Sequence, residues 1–410
     1  MKINNHLKKI DLIYWSILIF SLFPLIPNRI KGLPVIILFL FSITKVRKKQ
    51  FQWMFFFINS SLYFVYLVSY FIFYKIDGES KQVLETSLSI LVIPIIFSLL
   101  IPEFKFDKKL LSKFLKGFVF SSTFYAVIVI FFIVLDTETY YYSDWYTNKA
   151  RKLIEEFPYI GQHPIYASVF SAISVFFLFN LINIKNNKIL YIENIYYFIC
   201  FVINSLFLIL LSSRGVLISL LFSFLLFTFF KIKKIKYRLS IILLFSIIML
   251  SLFQYNRRMK ELINFDTYIK LDSNYSNSYR FQTYKCGYKL LKENFITGYG
   301  VGNVQLKLND CYNENGLKSM RDKYNTHNQY LDIILKTGIV GFSLFLFFLI
   351  YNFLIAINSK NTLFIIISIF YCIVFLTENI LLRQSGVILF YFLILFLNKF
   401  NFITEDNKND

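Results

Sequence analysis

His327, Arg280 and Arg214 are the side chains whose types invite a chemical reading. A neutral imidazole near pH 7 takes a proton from a hydroxyl as that hydroxyl attacks. Such positioned base help is worth roughly 10²–10⁴-fold in rate. A guanidinium offers a planar fork to two phosphate oxygens, which suits a diphosphate leaving group. His327 is one of three histidines in 410 residues and opens the stretch HNQYLDIILKTG. Alternatively, it is a helix-start histidine bonded to backbone. Arg280 lies just before a helical pattern in SYRFQTYKCGYKLLKEN, or else is a solvated loop charge. Arg214 interrupts two apolar runs in LLSSRGVLISL with almost no connector. A mid-bilayer charge costs about 2.5–3.5 kcal/mol on insertion scales. Arg214 therefore marks a tight surface turn, or projects into a wet cavity with Ser212 and Ser213 beside it and holds an anion.

Other candidates lie around these three. Glu378, in FLTENILLRQSG, precedes Arg383 by five residues. The two form an interfacial ion pair, or Glu378 orients a site arginine. His163 precedes Pro164, an acceptable first helical residue, so a helix-start role competes with a binding one. Asn328 and Tyr330 flank the His327 motif. Glu378, Arg383, His163, Asn328 and Tyr330 form the candidate substrate-binding set. The tract Tyr140–Tyr146, YYYSDWY, could stack on sugar rings or mark the membrane interface.

The elements that must hold these groups are membrane spans. The chain is 57% hydrophobic with a mean hydropathy of +0.56. Apolar runs of roughly 15–22 residues recur, the length that crosses a bilayer core of about 30 Å. Backbone groups in lipid must be satisfied internally, so helices are expected; the runs are too long for the strands of an outer-membrane barrel. The fold expected is all-α: a polytopic bundle of about 12 spans, near 10–27, 30–44, 53–74, 84–102, 114–135, 164–183, 191–211, 215–230, 239–253, 337–357, 362–380 and 384–398. Residues 1–253 then make nine spans, 254–336 a long polar loop, and 337–410 the last three spans and a tail. The basic head followed by an apolar run lacks a small-residue cleavage site and reads as a retained helix.

The net charge of +20 does not indicate a nucleic-acid binder, because the 44 Lys and Arg cluster in short connectors. With the N-terminus inside, inner connectors carry 22 of them against 9 in the shorter outer ones. The positive-inside rule then puts both ends in the cytoplasm and the long loop outside. Within that loop Phe281, Tyr284, Tyr288 and Leu291 fall at helical spacing. TGYGVGN supplies three alternate glycines for tight turns and close backbone approach, but no dinucleotide fingerprint. Cys286 and Cys311 both lie in the loop and either pair, in an oxidising compartment, or remain two thiols. Cys200 and Cys372 sit in apolar spans, and no Cys/His metal spacing occurs.

In order, SRG at a span boundary, a long outer loop with an early arginine, GxGxG, and HNxxLxxxxxxGxxG leading into a span resemble the O-antigen ligase and O-antigen polymerase superfamily. The resemblance covers roughly residues 161–397. It implies a metal-independent enzyme without cofactor in the bacterial inner membrane. Such an enzyme moves a glycan from a polyprenyl (undecaprenyl) diphosphate onto an acceptor hydroxyl. The acceptor is a lipid A core sugar for a ligase, or another lipid-linked repeat unit for a polymerase. On that pattern Arg214 and Arg280 hold the diphosphate. His327 acts as base or leaving-group partner, and Asn328 and Tyr330 belong to the same motif. Lys336 stands where the family commonly has Glu, which weakens any carboxylate role there.

Two other classes compete. A lipid-linked sugar flippase would show repeat symmetry and mid-membrane charges; no internal repeat is evident. A metal-dependent transferase would need carboxylates in the first outer loop, and Asn28–Gly32, NRIKG, has none.

Overall fold

The computed structural model describes residues 12–44, 51–73, 78–100, 104, 106–135, 145–157, 159–182, 188–231, 234–264, 276–320, 322 and 324–400. The basic head Met1–Lys9, most of the connector 45–52, the tail 401–410 and residues 140–144 of the tyrosine tract lie outside them.

Among the described residues the protein is helical, without strands. In chain order the helices are α1 (12–20), α2 (Leu33–Ile43), α3 (Trp53–Ile72), α4 (Gly78–Ser87), α5 (Ser89–Leu100) and α6 (Lys108–Leu135). Next come α7 (Trp145–Glu156), α8 (Pro164–Leu181), α9 (Lys188–Leu211), α10 (Arg214–Lys231), α11 (Ile235–Tyr255) and α12 (Arg257–Ile263). The last are α13 (Ser276–Glu293), α14 (Val304–Glu314), α15 (Gln329–Asn358), α16 (Thr362–Val374) and α17 (Gln384–Asn398). Six helical stretches are long and apolar enough to cross a membrane: Trp53–Ile72, Ser80–Leu100, Lys108–Leu135, Pro164–Leu181, Ile192–Leu211 and Gln329–Asn358. Three shorter apolar helices accompany them, at Arg214–Leu226, Thr362–Val374 and Gln384–Asn398.

A helix that is hydrophobic all round belongs in an interior, and α17 fits that rule. Every residue from Ser385 to Asn398 is buried. The Phe392 ring stacks on Phe20 of α1 at 3.8 Å, and Tyr391 on Phe348 of α15 at 5.1 Å. Lipid tails are as apolar as leucine, so helices in a bilayer need other adhesives, polar side chains among them. Asn352 of α15 donates to Asn59 of α3 at 2.9 Å and accepts from Asn398 of α17 at 2.8 Å. Asn204 of α9 bridges Ser122 and Thr123 of α6 at 2.9 and 2.8 Å.

α15 is two helices in one. Gly338 has φ 66° and ψ −166°, which breaks the helix between an N-terminal piece that follows His327 and the longer apolar piece after it. The loop bearing TGYGVGN folds onto this kink. Tyr299 N–H donates to the Leu335 carbonyl at 2.7 Å, and Ile339 N–H to that of Ile296 at 3.2 Å. A side chain at Gly338 would drive into the Ile296 carbonyl. The glycines therefore let two backbones touch.

Candidate active site

Helix starts place the candidate residues. Asn328 caps α15, its side chain accepting from Leu331 N–H at 3.0 Å. His327, one residue earlier, has φ 46°, a left-handed conformation uncommon outside glycine. Its N–H donates to the Asn325 side chain at 2.9 Å, and its carbonyl accepts from the Tyr284 hydroxyl of α13 at 3.1 Å. Ser212, just before Arg214, is left-handed too, at φ 47°, and its hydroxyl accepts from Asn256 at 2.6 Å. Strained backbone of this kind persists only where the surroundings over-determine it, and it concentrates at functional sites.

Glu378 is the meeting point. It lies after α16 and is buried. One carboxylate oxygen accepts from the Arg280 guanidinium at 2.6 Å, and the other stands 3.6 Å from Nδ1 of His327. Burial pushes the Glu378 carboxyl up, but Arg280 and His327 outweigh it and hold the group down to about 2. Glu378 thus pairs with Arg280, not with Arg383 as one sequence reading had it. Gly215 brings Arg214 alongside. A side chain there would strike the Thr377 hydroxyl and sit 3.4 Å from the Glu378 side chain. Arg214 itself is buried and donates to the Arg258 carbonyl at 3.1 Å and to Glu261 at 3.4 Å. The structure thus brings Arg280 and His327 to one carboxylate, Glu378, while Arg214, at the helix start beside it, pairs with a second one, Glu261.

Arg151, Arg258 and Glu261 are additions that the sequence reading missed. Arg151 of α7 donates to the Leu211 carbonyl at 3.0 Å and reaches the Ser213 hydroxyl at 3.5 Å. Burial pulls its guanidinium down to about 9, with repulsion from Arg258 adding to the effect. It remains charged at neutral pH. A signal was present: Arg151 lies three residues before Ile154, on the stripe that α7 buries. A cation on an apolar stripe needs an anionic or polar partner. Arg151, Arg214, Arg258 and Arg280 outnumber the carboxylates of Glu261 and Glu378 by two.

The remaining candidates divide. His163 is the N-cap of α8, its Nδ1 accepting from Ile165 N–H at 3.4 Å, with Glu155 3.6 Å from Nε2. Burial lowers its imidazole to about 4, and Arg383 and Arg151 push the same way. His163 thus shapes the cluster as a neutral cap. Arg383 is exposed at the site's edge. Tyr330 is not brought to the cluster: its hydroxyl donates to the Cys372 carbonyl at 2.9 Å and its ring packs among Phe342, Phe345 and Phe375. The side chain of Asn328 is occupied by its cap.

Cys286 and Cys311 form a disulfide, with their Cα atoms 5.8 Å apart, tying α13 to α14. The stripe that α13 buries is not the aromatic one. Phe281 is 49% and Tyr288 58% exposed, whereas Thr283, Cys286 and Leu290 are buried.

Residues 199–346 match the family model described as O-antigen ligase. The chain is similar to the O-antigen ligases. The matched stretch carries Arg214, Arg258, Glu261, Arg280 and His327. It leaves out Glu378, Arg383, Arg151 and His163, and is narrower than the 161–397 expected. A search of curated proteins returns no match. For an O-antigen ligase relative, the match suggests ligase- or polymerase-type membrane glycan transfer.

Proposed function

We propose that the protein is a membrane glycosyltransferase that moves a glycan from a polyprenyl diphosphate to an acceptor hydroxyl. The reading is carried by one observation: Glu378 joins Arg280 and His327, with Arg151 and the start of α10, which carries Arg214, nearby. Glu378 near Nδ1 favours the tautomer with its proton on that atom, leaving Nε2 to accept another. In the step, the acceptor oxygen attacks the anomeric carbon. The carbon–oxygen bond to the diphosphate breaks and its electron pair leaves with the phosphate. The acceptor proton passes to Nε2 of His327. The arginine excess neutralises the charge that develops on the departing diphosphate. In this reading guanidinium groups do the neutralising and no metal is needed.

In the same reading about twelve spans cross a bacterial inner membrane, both termini are cytoplasmic, and the site faces outward on the long loop. The disulfide supports an oxidising location for that loop. A lipid A core acceptor makes the protein a ligase; a second lipid-linked repeat unit makes it a polymerase.

The test is transfer from purified lipid-linked glycan. His327→Ala should lower transfer at least 100-fold while the protein still inserts and binds donor; retained transfer ends the base proposal. Arg280→Lys keeps the charge but loses the fork, and should cost at least tenfold. Activity should survive chelator; loss restored by a divalent ion would move the protein to a metal-dependent class.

A further inference from the structure

Beside the segment that leads into His327 lies a cavity of about 480 Å³. That is within the roughly 300–1,000 Å³ of small-molecule sites. Its walls come from α3, α4, α14, the start of α15 and the segment before His327. Tyr66 contributes an aromatic surface, and Gln82, Thr86, Gln305 and Asn325 contribute amides and a hydroxyl. Asp332 and Lys336 complete the lining, joined to each other at 2.6 Å and both buried. The cavity also reaches Arg383. Asn325 and Thr326 line it directly, and Asn325 holds the His327 N–H.

The chemistry of this lining differs from that of the arginine cluster. Its two buried charges, Asp332 and Lys336, cancel, and only the exposed Arg383 adds a cation, so it attracts a diphosphate less than the arginine cluster does. What remains is a set of hydrogen-bond donors and acceptors beside an aromatic ring, interleaved with apolar wall from Val83, Val301, Val304, Leu308, Leu381 and Leu382. A carboxylate with a free lone pair, amides and a tyrosine face suit a ring bearing several hydroxyls. Lys336 matters to this. A glutamate in its place would put two carboxylates one turn apart, and one of them would have to be protonated.

We propose that this cavity binds the terminal sugar ring of the acceptor glycan, presenting its hydroxyl toward His327 past Asn325 and Thr326. The assignment of that sugar to the acceptor rests on the transferase reading; the sugar-binding cavity does not. Thr86 is half-buried and Gln82 exposed on α4, so a tryptophan at either place fills the cavity without entering the helix core.

The experiment uses the full chain in lipid nanodiscs, as wild type, Thr86→Trp and Gln82→Trp. The probes are the oligosaccharide released by mild acid from the cells' lipid-linked glycan, the core oligosaccharide released from their envelope lipid, and undecaprenyl diphosphate. One oligosaccharide should bind wild type and lose at least tenfold in affinity in both variants, with undecaprenyl diphosphate binding unchanged. In the transfer assay the acceptor KM should rise by the same factor and kcat at saturation hold, the pattern of lost uniform binding. The proposal is overturned if neither oligosaccharide binds, or if the variants bind within twofold of wild type. It is overturned also if the loss falls on undecaprenyl diphosphate or on donor KM. If both variants weaken sugar binding while Arg280→Lys leaves transfer and undecaprenyl diphosphate binding intact, the cavity stands and the diphosphate reading fails.

Discussion

A buried glutamate costs desolvation free energy unless charged partners repay it. Glu378 has one in Arg280 at 2.6 Å, and Nδ1 of His327 stands 3.6 Å from its other oxygen. Its carboxyl lies at about 2, below the ordinary 4.5. The folded form therefore holds its proton less tightly than the unfolded one. The resulting stabilisation is complete above about pH 4.5 and is lost as pH falls from there toward 2. Thermal unfolding of wild type should show a decline across that window, and Glu378→Gln should flatten it. An unchanged slope would mean that the pairing contributes nothing to stability. At this scale Arg214 stood out in the sequence because it interrupts two apolar runs, and His327 because it is one of three histidines and opens a helical pattern. Arg258 and Glu261 sit in a short charged run, RRMKE, where nothing in the spacing tells a buried charge from a solvated one. Lys31 was counted among outer connector charges, yet it is buried beneath the rings of Phe23 and Phe170, at 5.0 and 4.8 Å.

Elements were legible where periodicity and breakers agree. The span after the long loop was expected to be entered through Gly338, and the kink lies there. Rotation of a polar helix was not legible. The aromatic stripe of α13 reads as a buried face, but a disulfide and the contact of Gly287 with Leu331 turn a different stripe inward. Both are tertiary constraints that local pattern does not carry. The kink also couples loop to site, since the N-terminal piece of α15 follows directly from His327. Gly338→Ala would place a methyl group against the Ile296 carbonyl at a positive φ. Backbone strain of this kind costs on the order of 1–3 kcal/mol. The variant should melt several degrees lower in detergent and lose transfer more than tenfold, because His327 moves with its helix. A melt matching wild type would show that the loop yields and the kink is dispensable.

At the scale of the whole molecule, the charge bias and the disulfide bear on the same question from independent physics. In the proposed topology twenty-two Lys and Arg fall in inner connectors against nine in the shorter outer ones, the bias that the membrane's preference for cytoplasmic cations predicts. The Cys286–Cys311 bond orients it by redox chemistry, since such bonds persist where thiols are not kept reduced. Closing that 25-residue separation also restrains the unfolded loop by about 3.5 kcal/mol in the chain-entropy model. Both lines favour the proposed arrangement, in which α13, α14 and the cavity wall that α14 contributes face outward. A fluorescent protein that matures only in the cytoplasm, fused after Asp410, should glow. Alkaline phosphatase, active only outside, should be active when inserted at Gly316, a loop glycine with nothing near its missing side chain, and inactive at the C-terminus. The reverse pattern would put the arginine cluster on the cytoplasmic face, where the disulfide would be reduced, and would remove the physical basis for an outward-facing transferase.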